Sequence, residues 1–196
     1  MASLFDTLQA NAFRAGIQAR TKRSQTWFKN NVTNLAVSRQ EVFKDTALKK
    51  ESTTGRGSMY MYFYDPKHKL TLPYYDRFPL TVIIDSAPGG FYGLNLHYLN
   101  YGVRAQFLDD LMAFGPEKAN ESSRLTKLRY NLISGVRKYK EFKPCFKHYL
   151  AKHVKSQFAR VPMTDWEIAI FLPVEQFQKK GKEAIWTDSL KIARQP

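Results

Sequence analysis

Between residues 118 and 160 the sequence carries twelve Lys and Arg against two Asp and Glu. An ordinary solvated surface intersperses both signs, whereas a one-sign block focuses a field that attracts polyanions. The chemistry open to these side chains is phosphate neutralisation. Arg124, Lys127, Arg137, Lys138, Lys140, Lys143, Lys147, Lys152 and Lys155 could each displace a counterion from a nucleic-acid backbone, giving affinity that ignores sequence and weakens with salt. A second group could do different work. Tyr60, Tyr62 and Tyr64 alternate along one run, with Tyr74, Tyr75 and Tyr98 nearby in sequence. Rings on one strand face form a platform on which unpaired bases could stack. The same alternation equally suits tyrosines that cover the second face of a small sheet, since Tyr is favoured in strands.

Catalytic chemistry has much less to stand on, and no catalytic residue, metal site or cofactor is expected. Glu141-Phe142-Lys143, downstream of Asp85, has the Glu-x-Lys form that a metal-dependent nuclease would need beside a further carboxylate. It sits, however, in a Lys-rich link where such a triplet arises by chance. His68, His97, His148 and His153 show no metal-ligand spacing, because the five-residue step from 148 to 153 is poor for one helix face. Gly55-x-Gly57 lacks the helix and lysine of a phosphate loop. Cys145, the single cysteine, excludes an intramolecular disulfide and reads as a packed thiol.

The elements that must position these groups follow from the pattern of apolar residues. The 196 residues, 43% hydrophobic, suffice for one domain with its own core. No run approaches the roughly 18 apolar residues of a membrane span, and Met1 to Asp6 lacks the character of a signal peptide, so the expectation is a soluble, unexported protein. Met59, Met61 and Phe63 fall on one face of a strand and the three tyrosines on the other. Asp65-Pro66 ends that strand, Phe78 to Asp85 is a second and Phe91 to Tyr98 a third, with Ala87-Pro88-Gly89-Gly90 as the turn of a hairpin. Gly93 inside the third strand signals a bulge or tight bend.

Helices surround this unit. Leu4 to Ile17 is amphipathic, either packed on its own domain or an arm for another subunit. Residues 26–50 continue helically, with Ser38 and Glu41 as a capping box. Asn100 caps a helix with Val103, Phe107, Leu111 and Phe114 on its stripe. A further helix is expected over residues 120–135, with Arg124 and Lys127 on its outer face. Another is expected after Pro144, with Phe146, Tyr149, Leu150, Val154 and Phe158 buried and Lys147, His148, Lys152 and Lys155 outward. Val161-Pro162 and Trp166 to Pro173 read as one or two closing strands over about 160–172, although Thr164 and Glu167 could form a capping box instead. Over residues 1–57, 58–117, 118–160 and 161–196 the net charges are +6, −2, +10 and 0. The total of +14 therefore belongs to the segments read as helices.

Three stretches carry a resemblance. Met61 to Lys69, with Tyr62, Tyr64, Asp65, Pro66 and Lys67, Leu72 to Leu80, with Pro73, Tyr74, Tyr75 and Asp76, and Gly90 to Leu99 are similar to a virion protein family of T-even-like tailed bacteriophages and their cyanobacterial relatives. The similarity runs from about Trp27 to Trp186. It implies a packaged protein that shields the termini of the phage genome from host exonuclease, and it brings no catalytic motif to carry over.

The expectations are these. The fold is α+β: a small, strongly curved antiparallel sheet, in the manner of an SH3-like partial barrel, with an N-terminal helical arm over residues 1–57 lying outside the core. The core domain spans residues 58–173 with basic helices inserted at about 100–158, and residues 174–196 form a C-terminal extension. The function is binding of double-stranded DNA ends, protecting them sterically, in a virion protein that passes through the host cytoplasm and meets other virion proteins but no membrane. The competing reading is a structural tail, baseplate or neck component whose basic faces bind acidic protein partners.

Overall fold

The computed structural model describes residues 3–112 and 140–195. Its centre is a six-stranded antiparallel sheet. The strands are β1 (Lys49–Glu51), β2 (Met59–Met61), β4 (Leu80–Ala87), β5 (Gly90–Asn95), β6 (Phe146–Leu150) and β7 (Phe158–Val161), in the order β1-β7-β2-β4-β5-β6. A separate ribbon pairs β3 (Tyr75–Asp76) with β8 (Phe177–Gln178). The helices are α1 (Leu4–Arg14), α2 (Lys22–Val32), α3 (Arg39–Lys44), α4 (Tyr101–Met112), the short α5 (Trp166–Ala169) and α6 (Lys182–Arg194). The class is α+β, as expected.

Strand alternation sends residues to two different cores. Met59, Met61, Leu80, Val82, Ile84, Leu94, Ala159 and Val161 enter the larger one beneath the helices. Tyr60, Tyr62, Tyr64, Ile83, Phe91, Tyr149 and Phe158 make a second, aromatic core on the other face. A flat sheet would leave that second face wet; here it curls. The ladder between β4 and β5 shifts register between Ile83 and Asp85, opposite Gly93, and such a bulge sharpens local twist. At Gly93 a Cβ would lie 2.2 Å from Thr81 Cγ2, so the bend requires glycine. Pro88 and Gly89, the latter at φ +70°, then turn the chain between Ala87 and Gly90 as a type II turn. Beyond β6 the chain crosses back to the continuation of β2: Tyr64 pairs with Val154, and the Lys155 N–H donates to the Phe63 carbonyl at 2.8 Å.

Three expectations are corrected. The segment after Pro144 is not a helix: it forms β6, a 3-10 turn at Ala151–His153, and β7. Its apolar residues fit a helical stripe, but Phe, His and Tyr in Phe146–Leu150 also suit a strand, and pairing with β5 from Leu94↔Phe146 to Gly90↔Leu150 decides between them. Trp166 to Leu172 is not a strand but α5 and the turn after it. Every one of those residues is buried, and a run buried all round carries no period from which helix and strand can be told apart. The alternative capping box at Thr164 and Glu167 does not form either; Glu167 instead accepts from the Arg20 N–H and the Ser24 hydroxyl. The role of closing strand falls to Phe158–Val161, which pairs with both β1 and β2.

Third, the N-terminal helices do not lie outside the core. Phe5, Leu8, Ala12, Phe28, Val32 and Val42 belong to the larger cluster, and β1 extends the sheet itself. Local signals inside and just beyond this region do act where their residues stand. Ser38 and Glu41 form the expected capping box on α3, and Asn100 Oδ1 accepts from the Val103 N–H at 3.0 Å at the start of α4. Residues 26–50 are nevertheless not continuously helical, since β1 begins at Lys49.

Buried polar groups hold the layers in register. Asp76 Oδ1 accepts from the Phe78 and Gln176 N–H groups, while Oδ2 lies 2.7 Å from His97 Nδ1 and accepts from Asn95 at 3.1 Å. Burial pulls the Asp76 carboxyl upward, but His97 and these donors together hold it below its ordinary value. Arg104 on α4, fully buried, donates to the carbonyls of Leu99, Ile170 and His97 and to Glu175 Oε1 at 2.6 Å. Trp186 ties the C-terminal helix to this layer, its Nε1 donating to the His97 carbonyl at 2.8 Å.

Candidate nucleic-acid interface

The basic residues of the sequence divide into three sets. Arg124, Lys127, Arg137 and Lys138 lie outside the described residues. Lys140, Lys143, Lys152 and Lys155 are exposed. Lys147 differs. Its Nζ sits 4.1 Å from the centre of the Tyr98 ring, and burial lowers its pKa, so it is engaged in a cation–π contact and does not project to a phosphate. The expected helical face of Lys147, His148, Lys152 and Lys155 thus does not exist, because the chain there runs as strand β6 and then a 3-10 turn before β7.

What positions the exposed lysines is the edge of the sheet. Before β6, the 3-10 turn Lys140–Phe142 is held by Phe142, whose ring packs edge-on against Phe107 of α4 at 4.9 Å, and by buried Cys145, whose N–H donates to the Phe142 carbonyl. Burial pushes the Cys145 thiol up to about 12, consistent with packing and not with nucleophilic chemistry. The turn leaves Lys140 and Lys143 outward at one end of β6. At the other end the 3-10 turn presents Lys152, and Lys155 follows. Nine residues of chain from Lys143 to Lys152 reach at most about 30 Å.

Lys155 joins cations that charge counting along the chain did not single out. Asp65 is hydrogen-bonded by Lys69, and its pKa is lowered by that bond and by the charges of Lys69, Lys155 and Arg77. The Asp65 N–H donates to the His153 carbonyl, the Tyr64 N–H to that of Arg77, and Lys179 Nζ to those of Leu70 and Leu72. One end of the curled sheet therefore brings Lys69, Lys155 and Arg77 within electrostatic reach of the Asp65 carboxylate, with exposed Lys67 two residues along the chain and exposed Lys152 next to the His153 whose carbonyl takes the Asp65 N–H. Residues 58–117 appear acidic in sequence, yet three of their acids are engaged by partners within the protein. Asp76 is buried against His97, Asp85 pairs with Arg56 and Asp109 with Lys22. The lysines of the same segment remain on the surface.

The tyrosine platform is corrected. Tyr60, Tyr62 and Tyr64 are 1%, 0% and 7% exposed, and their rings meet Phe91, Tyr149 and Phe158 edge-on inside the second core. They are the inner face of a curled sheet and offer nothing to a base. Two residues of the nuclease reading can be placed. Lys143 is at the surface, Asp85 is engaged with Arg56, and among the described residues no group of three or more His, Cys, Asp or Glu is arranged to hold a metal ion. No described helix is long and apolar enough to cross a membrane.

Comparison with known proteins gives one finding. A family model described as the phage T4 terminal DNA protecting protein matches residues 2–191, a wider span than the central words of the sequence suggest. No curated protein matches, and no solved structure does.

Proposed function

Because the chain belongs to the phage T4 terminal DNA protecting protein family, we propose that it binds the ends of double-stranded DNA and shields the genome termini from exonuclease. The observation that carries this is the family match over nearly the whole chain. The exposed lysines at the ends of β6 support it, since cations on a rigid edge can neutralise phosphates without reading sequence. Protection of this kind is steric. A protein seated on a terminus denies a nuclease access for as long as it stays, so occupancy is sufficient and no bond need be made or broken. The protein is accordingly non-enzymatic, acts in the virion and in the infected host, and meets other virion proteins as well as DNA.

The test is a challenge of blunt linear duplex with a processive exonuclease, with and without the protein, beside anisotropy titrations on the same duplex. Binding at moderate salt with slowed digestion from the ends is expected. Changing Lys67, Lys69, Lys152 and Lys155 to Gln should lower affinity for every sequence alike. It should also shrink the log–log salt slope by about 0.9 for each phosphate that is no longer neutralised. No binding to any duplex at moderate salt, or binding without protection, would overturn the proposal.

A further inference from the structure

Lysines cannot tell an end from the interior, because the phosphates are the same in both. What only an end exposes is the flat apolar face of its last base pair. Where the face of β5 and β6 that carries the larger core reaches the edge of the sheet, Tyr92, which packs against that core, forms with Phe146 and His148 a strip that matches such a base-pair face. Phe146, 38% exposed on the last strand of the sheet, lies nearly parallel to the half-buried Tyr92, with ring centres 5.3 Å apart and planes at 24°. His148, across from Tyr92 in the ladder, stands 5.1 Å from it, and its Nε2 lies 3.0 Å from the Pro88 carbonyl, which fixes the ring. Two near-parallel rings are already the start of a stack, and offset stacking extends to any further flat π surface. Exposed Lys143 precedes the strip by three residues and exposed Lys152 follows it by four, so cations flank the rings on both sides, as phosphates flank a terminal pair.

We infer that this strip stacks on the terminal base pair of a DNA duplex and is what makes the protein prefer ends, while the lysines supply affinity common to all duplex. The inference rests on the reading of the protein as an end binder. It accounts for the division of labour along β6: Lys147 is turned in upon Tyr98, so the surface between the flanking cations is aromatic and uncharged.

The experiment compares a short blunt duplex with the same duplex closed at both ends by hairpin loops, and places 2-aminopurine in the terminal pair. Wild-type protein should favour the open form and change the fluorescence of the terminal 2-aminopurine. Phe146→Ala and Phe146→Leu should lose about 5- to 150-fold in affinity for the open form, the stacking worth of one base. Neither should lose affinity for the closed form. Phe146→Leu keeps an apolar side chain while removing the flat ring, so it serves if the alanine variant folds poorly. Lys152→Gln should weaken both forms equally. If the wild type prefers open ends but the Phe146 variants keep that preference and the same fluorescence response, this inference falls and the proposed function stands. If the wild type shows no preference for ends, both fall.

Discussion

Arg104 permits a prediction whose sign, and not only its size, can be checked. The residue has no exposed surface, and its guanidinium serves three carbonyls and the carboxylate of Glu175. Burial pulls the Glu175 carboxyl upward, yet it is held below its ordinary value, chiefly by the Arg104 charge. Arg104→Met keeps much of the volume and removes the charge. It strands a buried carboxylate whose nearest other described cation, Lys182, stands 3.9 Å away at Oε2. Removing one partner of a buried ion pair costs about 3 to 5 kcal/mol. Against a total stability of about 5 to 15 kcal/mol, the variant is left close to unfolding. Glu175→Gln should destabilise the wild type, where it breaks the pair, but stabilise the Arg104→Met background, where it removes the stranded charge. Urea unfolding of the four proteins of that cycle gives the coupling directly. In Arg104→Met the isolated carboxyl should also titrate upward, so that variant should gain stability as the pH falls from 7 toward 5. Equal and additive losses, with no reversal of sign, would refute the view that Arg104 and Glu175 act as a buried pair joining α4 to the C-terminal layer.

Three further outcomes are expected. Gly90→Ala should destabilise by at least about 2 kcal/mol, because a Cβ there would stand 1.8 Å from the Tyr149 carbonyl oxygen and force β5 and β6 apart. Gly16→Ala, at φ +67° with nothing within 4 Å, should cost only the backbone strain of about 1 kcal/mol; equal losses in thermal melts would show that the close approach of the strands is not the constraint. Asp165, 5% exposed, has its pKa pushed up to about 6 by burial and by Asp6 and Asp45, against the hydrogen bond from Gln9. A folded pKa above the unfolded one means that its contribution is intact below about pH 4 and lost as the pH rises through 6. Asp165→Asn should therefore flatten that part of the stability profile and stabilise at pH 7 by of order 1 to 2 kcal/mol. A profile unchanged between pH 4 and 7 would contradict it.

Much of the chain was legible because its signals are local. The alternation of Met59, Tyr60, Met61 and Tyr62, the Pro88-Gly89 turn, the Ser38 box and the Asn100 cap need only neighbouring residues to act, and each appears where its residues stand. The phage family, too, was visible in the words around Tyr64, Tyr75 and Gly93, and the family match agrees with it. Tertiary structure decided the rest, where one local pattern serves two outcomes. Phe146 to Phe158 fits a helix by spacing and became two strands because β5 and β2 offered partners. Trp166 to Leu172 is buried on all sides and so shows no period from which α5 and the turn after it could be told from a strand. The tyrosines of β2 could have faced solvent or protein, and only the curl of the sheet, set by the bulge opposite Gly93 and by the return of the chain at Val154, put them inside. Charge was the least legible property, since a sum along the chain counts Asp76 equally with Asp65. Folding buries the first against His97 and leaves the second at the surface among lysines, and burial, which no linear count contains, determines which charges a polyanion meets.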